Sequence, residues 1–255
     1  MLSEKTLILN IQYDGTNYSG WQKQPNARTV QETLENALMQ ICGKEIKIMG
    51  AGRTDAGVHA RNMTAHGNID DSFTIPENKI TAALNANLPY DININNSIVY
   101  QGEFHARFDA VMREYTFNII TKPDVFKQRF AAYYKFAFDE NLLFESAQIF
   151  LKKTDFTTFS KYNPDINNPV CNVDICEWTK IADCHYMLRI RANHFLYGVV
   201  RALTGAMLDC ARGKRTKEEL ETALLLKDRS LASPLISPQG LIFEKAYYPV
   251  EYGID

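Results

Sequence analysis

The chain has 255 residues and a formal charge of −2, enough length for one large domain or two small ones. That near-neutral balance argues against a protein that coats nucleic acid indiscriminately, though not against one that meets phosphates in a local cleft. Apolar residues at 45 % and charged residues at 23 % exclude a disordered chain. No apolar run is long enough to cross a bilayer and the start MLSEKTLILN lacks a signal-peptide layout, so the cytoplasm is the expected compartment.

Thr6 to Asp14 alternates, with Leu7, Leu9, Ile11 and Tyr13 on one face and Asn10, Gln12 and Asp14 on the other, which predicts a half-buried strand. A turn-rich stretch with Tyr18 and Trp21 leads to Thr29-Val-Gln-Glu32, a capping box that opens a helix closed by Gly43. Glu45–Met49 and Met63–Asn68 read as strands on either side of a glycine-rich loop. Pro76 opens a helix to about Asn87, and Ile92–Tyr100 reads as a strand. The first part is thus β-α-β-loop-β-α-β, a layered α+β arrangement with a mainly antiparallel sheet.

After a polar connection from Phe104 to Ala110, Met112–Thr121 is strand-like. A helix follows from Asp139, and then a loop from Ser160 to Pro169. Strands are expected at Asn172–Ile181 and His185–Ala192, a helix from about Leu196 to Arg212, a helix behind the capping box Thr216-Lys-Glu-Glu219, and a last strand at Leu241–Tyr248. The order of elements echoes the first part without a sequence repeat. The five cysteines include no C-x-x-C pair. Cys171 and Cys176 stand an odd number of residues apart in one strand, which predicts opposite faces and buried free thiols rather than shared metal ligation.

The densest chemistry lies in Gly50–Ala60, GAGRTDAGVHA, where Arg53, Asp55 and His59 stand among glycines, followed by Arg61. Glycines permit close ligand approach, and guanidiniums around a carboxylate keep it ionised while offering donors to phosphate. On composition alone a glycine-rich turn with a solvated ion pair explains the same residues. An Asp55–His59 hydrolase pair lacks a recognisable serine or cysteine nucleophile, and His59 with His66 lacks the acidic company of a metal site. Basic residues interleave with aromatics at His105-Ala-Arg107-Phe108, Arg113-Glu-Tyr115 and Arg189 to Phe195. Such mixtures suit single-stranded or loop RNA, and equally suit ordinary amphipathic strands.

GAGRTDAGVHA resembles the signature of the TruA family of tRNA pseudouridine synthases. So, in the family's order, do YDGTNYSGWQKQ, TVQETLE, NANLP at 85–89, FHARFDA at 104–110, REYTF at 113–117, DFTTFS at 155–160, ANHFLYGVVRALTG at 192–205 and QGLIFEKAYYP at 239–249. The resemblance implies two ferredoxin-like (RRM-like) halves, 1–103 and 104–255, with mainly antiparallel sheets packed around a central RNA-binding cleft. It implies an enzyme that isomerises uridine to pseudouridine at positions 38–40 of the tRNA anticodon stem-loop. The enzyme would be a cytoplasmic homodimer using neither metal nor organic cofactor, with no part for DNA or membrane.

By the same resemblance Asp55 is the catalytic nucleophile and Arg201 the arginine paired with it. Tyr115 is the active-site tyrosine stacking on the target base, and Leu241 walls the base's other face. Arg53, His59, Arg61 and Arg107 are expected to meet the RNA. Read by pattern alone, Tyr115 is a core ring, Arg201 a solvated charge and Leu241 core. The chain departs from the family pattern at NNPVCNV, 167–173, with Cys171 where arginine is common, and at Gly198-Val199. These departures bear on how RNA is gripped. The alternative from another class is a non-catalytic RNA-binding or chaperone protein that reuses the fold.

Overall fold

The computed structural model describes residues 5–161 and 168–254. Two compact units emerge, Met1–Val111 with Phe243–Asp255, and Met112–Ile242. The expected division at 103/104 falls inside the first of them. Both are mixed α+β with mostly antiparallel strand pairing.

In the first unit, β1 (Lys5–Tyr13) leads to α1 (Val30–Cys42) and β2 (Met49–Gly50). Then come β3 (His59–Ile69), α2 (Glu77–Asn87) and β4 (Ile92–Gln101). Thr29 caps α1, its hydroxyl accepting the Glu32 N–H, and Gly43 ends the helix in the left-handed conformation at φ 69°. β1 lies between β3 and β4, antiparallel to both. The strand expected at Glu45–Met49 shrinks to β2, which pairs Met49 with His66 and Gly50 with Ala65.

β1 is buried on both faces, not on one. Thr6, Ile8 and Asn10 are as enclosed as Leu7, Leu9 and Ile11. Ile8 belongs to a separate apolar cluster with Phe104 and Ala106, against which Tyr100, Tyr248 and Tyr252 pack. The 104–110 stretch, read from sequence as a polar connection, therefore covers a sheet face that alternation alone assigned to solvent.

In the second unit, β5 (Met112–Ile120) and β6 (Ala132–Tyr133) precede α3 (Glu140–Gln148) and β7 (Lys153–Asp155). β8 (Val170–Ala182), β9 (His185–Ala192), α4 (Val199–Ala211) and α5 (Lys217–Leu226) follow. Strand order is β5-β9-β8-β7, with the short β6 parallel to β5. Asp139 caps α3 and the Thr216–Glu219 capping box opens α5, both as their residue types dictate. α4 is buried on every side except at Arg201, so it is a core helix rather than an amphipathic one. β10 (Leu241–Tyr247) is the last strand. Among the described residues no helix is long and apolar enough to cross a membrane.

One expectation fails for a local reason. Cys171 and Cys176 both point inward, 1 % and 2 % exposed, because β8 changes register between Val173 and Ile175. The irregularity inverts the two-residue alternation, so an odd separation returns to the same face. Burial drives both thiols up to about 12, and they stay protonated. The loop expected from Ser160 to Pro169 lies partly outside the described residues, as does Asn167 of the NNPVCNV departure.

Candidate active site

Asp55 is half-buried in a loop fastened to the turn that follows β1. At its near side the Tyr13 and Thr54 hydroxyls meet at 2.8 Å, and the Trp21 N–H donates to the Thr54 carbonyl at 3.0 Å. At its far side the Gly57 N–H donates to the Tyr18 carbonyl, and the Asp55 carbonyl accepts the Val58 N–H at 3.1 Å. Two glycines make this approach possible. A Cβ on Gly15 would stand 1.9 Å from the Val58 carbonyl oxygen, and one on Gly20, at φ 96°, would stand 2.7 Å from the Thr54 oxygen. Gly50 in turn accepts the Trp21 ring, 2.8 Å from where a Cβ would be.

Fixing such a loop costs roughly 1 kcal/mol or more per residue, whereas each hydrogen bond returns about 1 kcal/mol net. The bonds alone fall short, and burial of Trp21, Ala51 and Val58, each at 2 % exposure or less, makes up the difference. The turn is itself anchored. Tyr18 donates its hydroxyl to Asp91 at 2.6 Å, and the Arg28 guanidinium lies 4.4 Å from the Tyr18 ring centroid. Burial first, then the Asp91 carboxylate, pushes the Tyr18 phenol well above its ordinary range.

His59, expected among the RNA contacts, is 2 % exposed and faces the protein. Its Nδ1 accepts the Gly15 N–H at 3.1 Å and lies 3.1 Å from Asp14 Oδ1. In this position the ring holds the turn against the loop. Arg53 is exposed. Arg61 is also exposed and pairs with Glu244 of β10 at 3.3 Å.

In the second unit Tyr115, on β5 opposite Ile190 of β9, is nearly buried and meets Phe195 edge-on at 5.3 Å. Arg113 donates to the Asn193 carbonyl at 2.7 Å, and the Asn172 N–H donates to the Asn193 side chain at 2.7 Å. Together these fix the stretch that delivers Phe195. Arg201 donates through Nε to the Ile236 carbonyl at 2.8 Å. That contact depends on Gly205, one helical turn on, because a Cβ there would stand 2.6 Å from the Pro234 oxygen. Leu241 is 6 % exposed, and Gly240 before it leaves room for the Asn118 carbonyl 2.4 Å from a would-be Cβ.

Arg189 and Arg191 are ion-paired with Glu114 and Asp174, both at 2.7 Å, so part of the basic-aromatic mixture read from sequence belongs to the sheet surface. Arg107 is exposed on the 104–110 loop. Among the described residues no three histidine, cysteine or acidic side chains converge as a metal site would require.

Sequence reasoning gave no role to Tyr13, Gly15, Tyr18, Gly20 and Trp21 as the platform beneath Asp55. The available signal was the unusual mixture of glycines and aromatics in YDGTNYSGW, too rich in turn formers to be strand or helix. The Ile236 carbonyl left no such signal.

The model of the tRNA pseudouridine synthase family matches residues 10–109 and 147–249. The first stretch contains Asp55 and its platform; the second contains Arg201 and Leu241; Tyr115 falls between them. A protein named tRNA pseudouridine synthase A from Chlamydia trachomatis is 36 % identical over 97 % of this chain and 94 % of its own length. Proteins of the same name from Bacteroides thetaiotaomicron and Bacillus subtilis are each 36 % identical over 95 % of this chain, covering 90 % and 98 % of their own lengths. Matched in both units and along nearly its whole length, the chain belongs to the tRNA pseudouridine synthase family, among its TruA members.

Proposed function

We propose that the protein isomerises uridine to pseudouridine in tRNA, at positions 38–40 of the anticodon stem-loop, with Asp55 as nucleophile. The observation that carries this reading is the Asp55 loop. A family motif at one place in the chain holds a carboxylate-bearing motif at another through backbone bonds and glycine contacts that leave no space for side chains. Such investment in the geometry of one half-buried acid is what a reacting group needs and a binding surface does not.

The reaction breaks the bond from the sugar C1′ to the uracil N1 and forms one from C1′ to C5. The proton on C5 is lost and N1 gains one, so atoms and charge balance without an added reagent. The Asp55 carboxylate adds to the sugar or the base, holds the fragment while the ring turns, and leaves as the new bond closes. The uridine must first swing out of its stack. Tyr115 and Arg201 take the roles of the family pattern, stacking with deprotonation at C5 and holding the carboxylate ionised. Leu241 packs on the base, and Arg53, Arg61 and Arg107 meet phosphates. The two units are ferredoxin-like halves, the protein is a homodimer, and it works in the cytoplasm on tRNA.

The test is incubation of the purified protein with an anticodon stem-loop RNA bearing uridine at positions 38, 39 and 40, followed by mapping of pseudouridine at each. Conversion at one or more of the three sites is expected. Tight RNA binding with no conversion would support the non-catalytic alternative. Conversion only outside these positions would retain the chemistry and discard the assigned target.

A further inference from the structure

The 104–110 loop is built with unusual care for a surface segment. The Ala106 N–H donates to Nδ1 of the buried His66 at 3.1 Å, and the Ala106 carbonyl accepts the Tyr248 hydroxyl at 2.6 Å. His105 Nδ1 accepts the N–H groups of both Arg107 and Phe108 at 3.2 Å. The Asp109 carboxylate takes the His105 N–H at 2.8 Å. At the centre of this scaffold stands Phe108, 75 % exposed.

Its ring is not isolated. Phe104 meets His66 edge-on at 6.0 Å, His66 meets His105 at 4.6 Å, and His105 meets Phe108 at 4.2 Å with planes only 32° apart. The rings form a column from the enclosed cluster to the surface, with Phe108 as its outermost member. The Arg107 guanidinium lies 5.8 Å from the Phe108 centroid. A phenylalanine held at the surface by a rigid loop adds little to folding, since its apolar area stays in water. A flat ring with a cation beside it is the arrangement that takes a nucleobase and its phosphate.

We propose that Phe108, backed by His105 and flanked by Arg107, is a stacking platform for an unpaired nucleobase of the RNA, other than the uridine to be isomerised. This rests on the reading of the protein as an RNA enzyme. The contacts that hold Phe108 run through His66, His105, Asp109 and Tyr248, and none of them belongs to the Asp55 loop or to the turn that supports it, so the ring is a separate element from the one that carries the acid. It reads no base edge, so it favours unpaired bases of any sequence.

The test uses a fluorescein-labelled strand of eight uridines and the same strand with abasic sugars, with binding followed by anisotropy. The wild-type protein is expected to prefer the strand with bases. Phe108→Ser should weaken that strand's binding about tenfold, in line with the loss of one base–ring stack, and leave the abasic strand unaffected. Phe108→Tyr, which keeps the ring, should bind like the wild type. Arg107→Ala should weaken both strands and lower the salt slope. Equal losses on both strands in Phe108→Ser, or no loss on either, would overturn the proposal. So would a change of sedimentation in Phe108→Ser with RNA affinity per protomer unchanged, which would make this face a contact between copies. None of these outcomes depends on pseudouridine formation, so the inference and the proposed activity can fail separately.

Discussion

Two histidines of β3 do the same mechanical task for two different loops. His59 Nδ1 accepts the Gly15 N–H at 3.1 Å and so holds the turn that supports Asp55; His66 Nδ1 accepts the Ala106 N–H at 3.1 Å and so holds the loop that carries Phe108. They differ in what surrounds the ring. His59 has the Asp14 carboxylate 3.1 Å from the same nitrogen. His66 instead has the His105 ring beside it, with centroids 4.6 Å apart. Burial, then the neighbouring charge of His105, lower its pKa to about 4, against weaker opposing pulls from the Met49 backbone and Asp109. The lesson is that the same buried acceptor can be set beside a carboxylate or beside a second imidazole, and the one that serves the Asp55 loop has the carboxylate.

The largest expected effect tests whether the Asp55 loop exists for its acid. Asp55→Asn keeps size and packing but removes the charge and the nucleophile, and should lower the single-turnover rate of pseudouridine formation by about a thousandfold or more. RNA affinity should stay within about threefold. A wild-type rate in this variant would remove Asp55 from its assigned role.

Next in size is the acceptor at His59. His59→Leu should slow the same rate by roughly tenfold to a hundredfold through misplacement of the turn, with little change in RNA affinity. His59→Asn, whose side-chain oxygen can accept the Gly15 N–H, should recover most of it. Equal damage from both variants would mean that packing rather than the acceptor matters. Smaller still, Arg53→Ala should weaken RNA binding several-fold and reduce the slope of log affinity against log salt by about one phosphate contact. An unchanged slope would take Arg53 off the backbone.

The smallest effect isolates His66. Its folded pKa of about 4 lies below the 6.5 of a free imidazole, so between these values the unfolded chain binds a proton that the folded chain does not. Stability from this group is complete above pH 6.5, declines as pH falls from 6.5 toward 4, and declines no further below that. Thermal melts across this window should show the loss, and His66→Asn, which accepts without titrating, should flatten it. A variant with the wild-type pH dependence would place the sensitivity elsewhere.

Much of this was legible in the chain itself. Helix starts at Thr29, Asp139 and Thr216 follow from side chains that can accept the first free N–H groups, and Gly43 ends a helix because it adopts a positive φ cheaply. The glycine-bracketed Asp55 stood out because neither a strand nor a helix accommodates that composition. Those are local matters, decided within a few residues.

What the sequence could not decide was anything set by a partner distant along the chain. Alternation placed the alternate residues of β1 by parity, but what covers a sheet face depends on segments about a hundred residues away or more. Tyr248 reaches Ala106 and Phe104 covers Ile8 only once the chain is folded. One irregular step in β8 was enough to reverse the facing of Cys176, because parity carries no memory of an inserted residue. Arg201 looked like a solvated charge on a striped helix, whereas the tertiary structure buries every other side of α4 and gives its guanidinium a backbone carbonyl. Residue types along the chain thus determined which elements form and which acid is set apart. Packing between distant segments decided which side chains are enclosed and which stay in reach of a ligand, since burial is a property of what lies opposite and not of the residue itself.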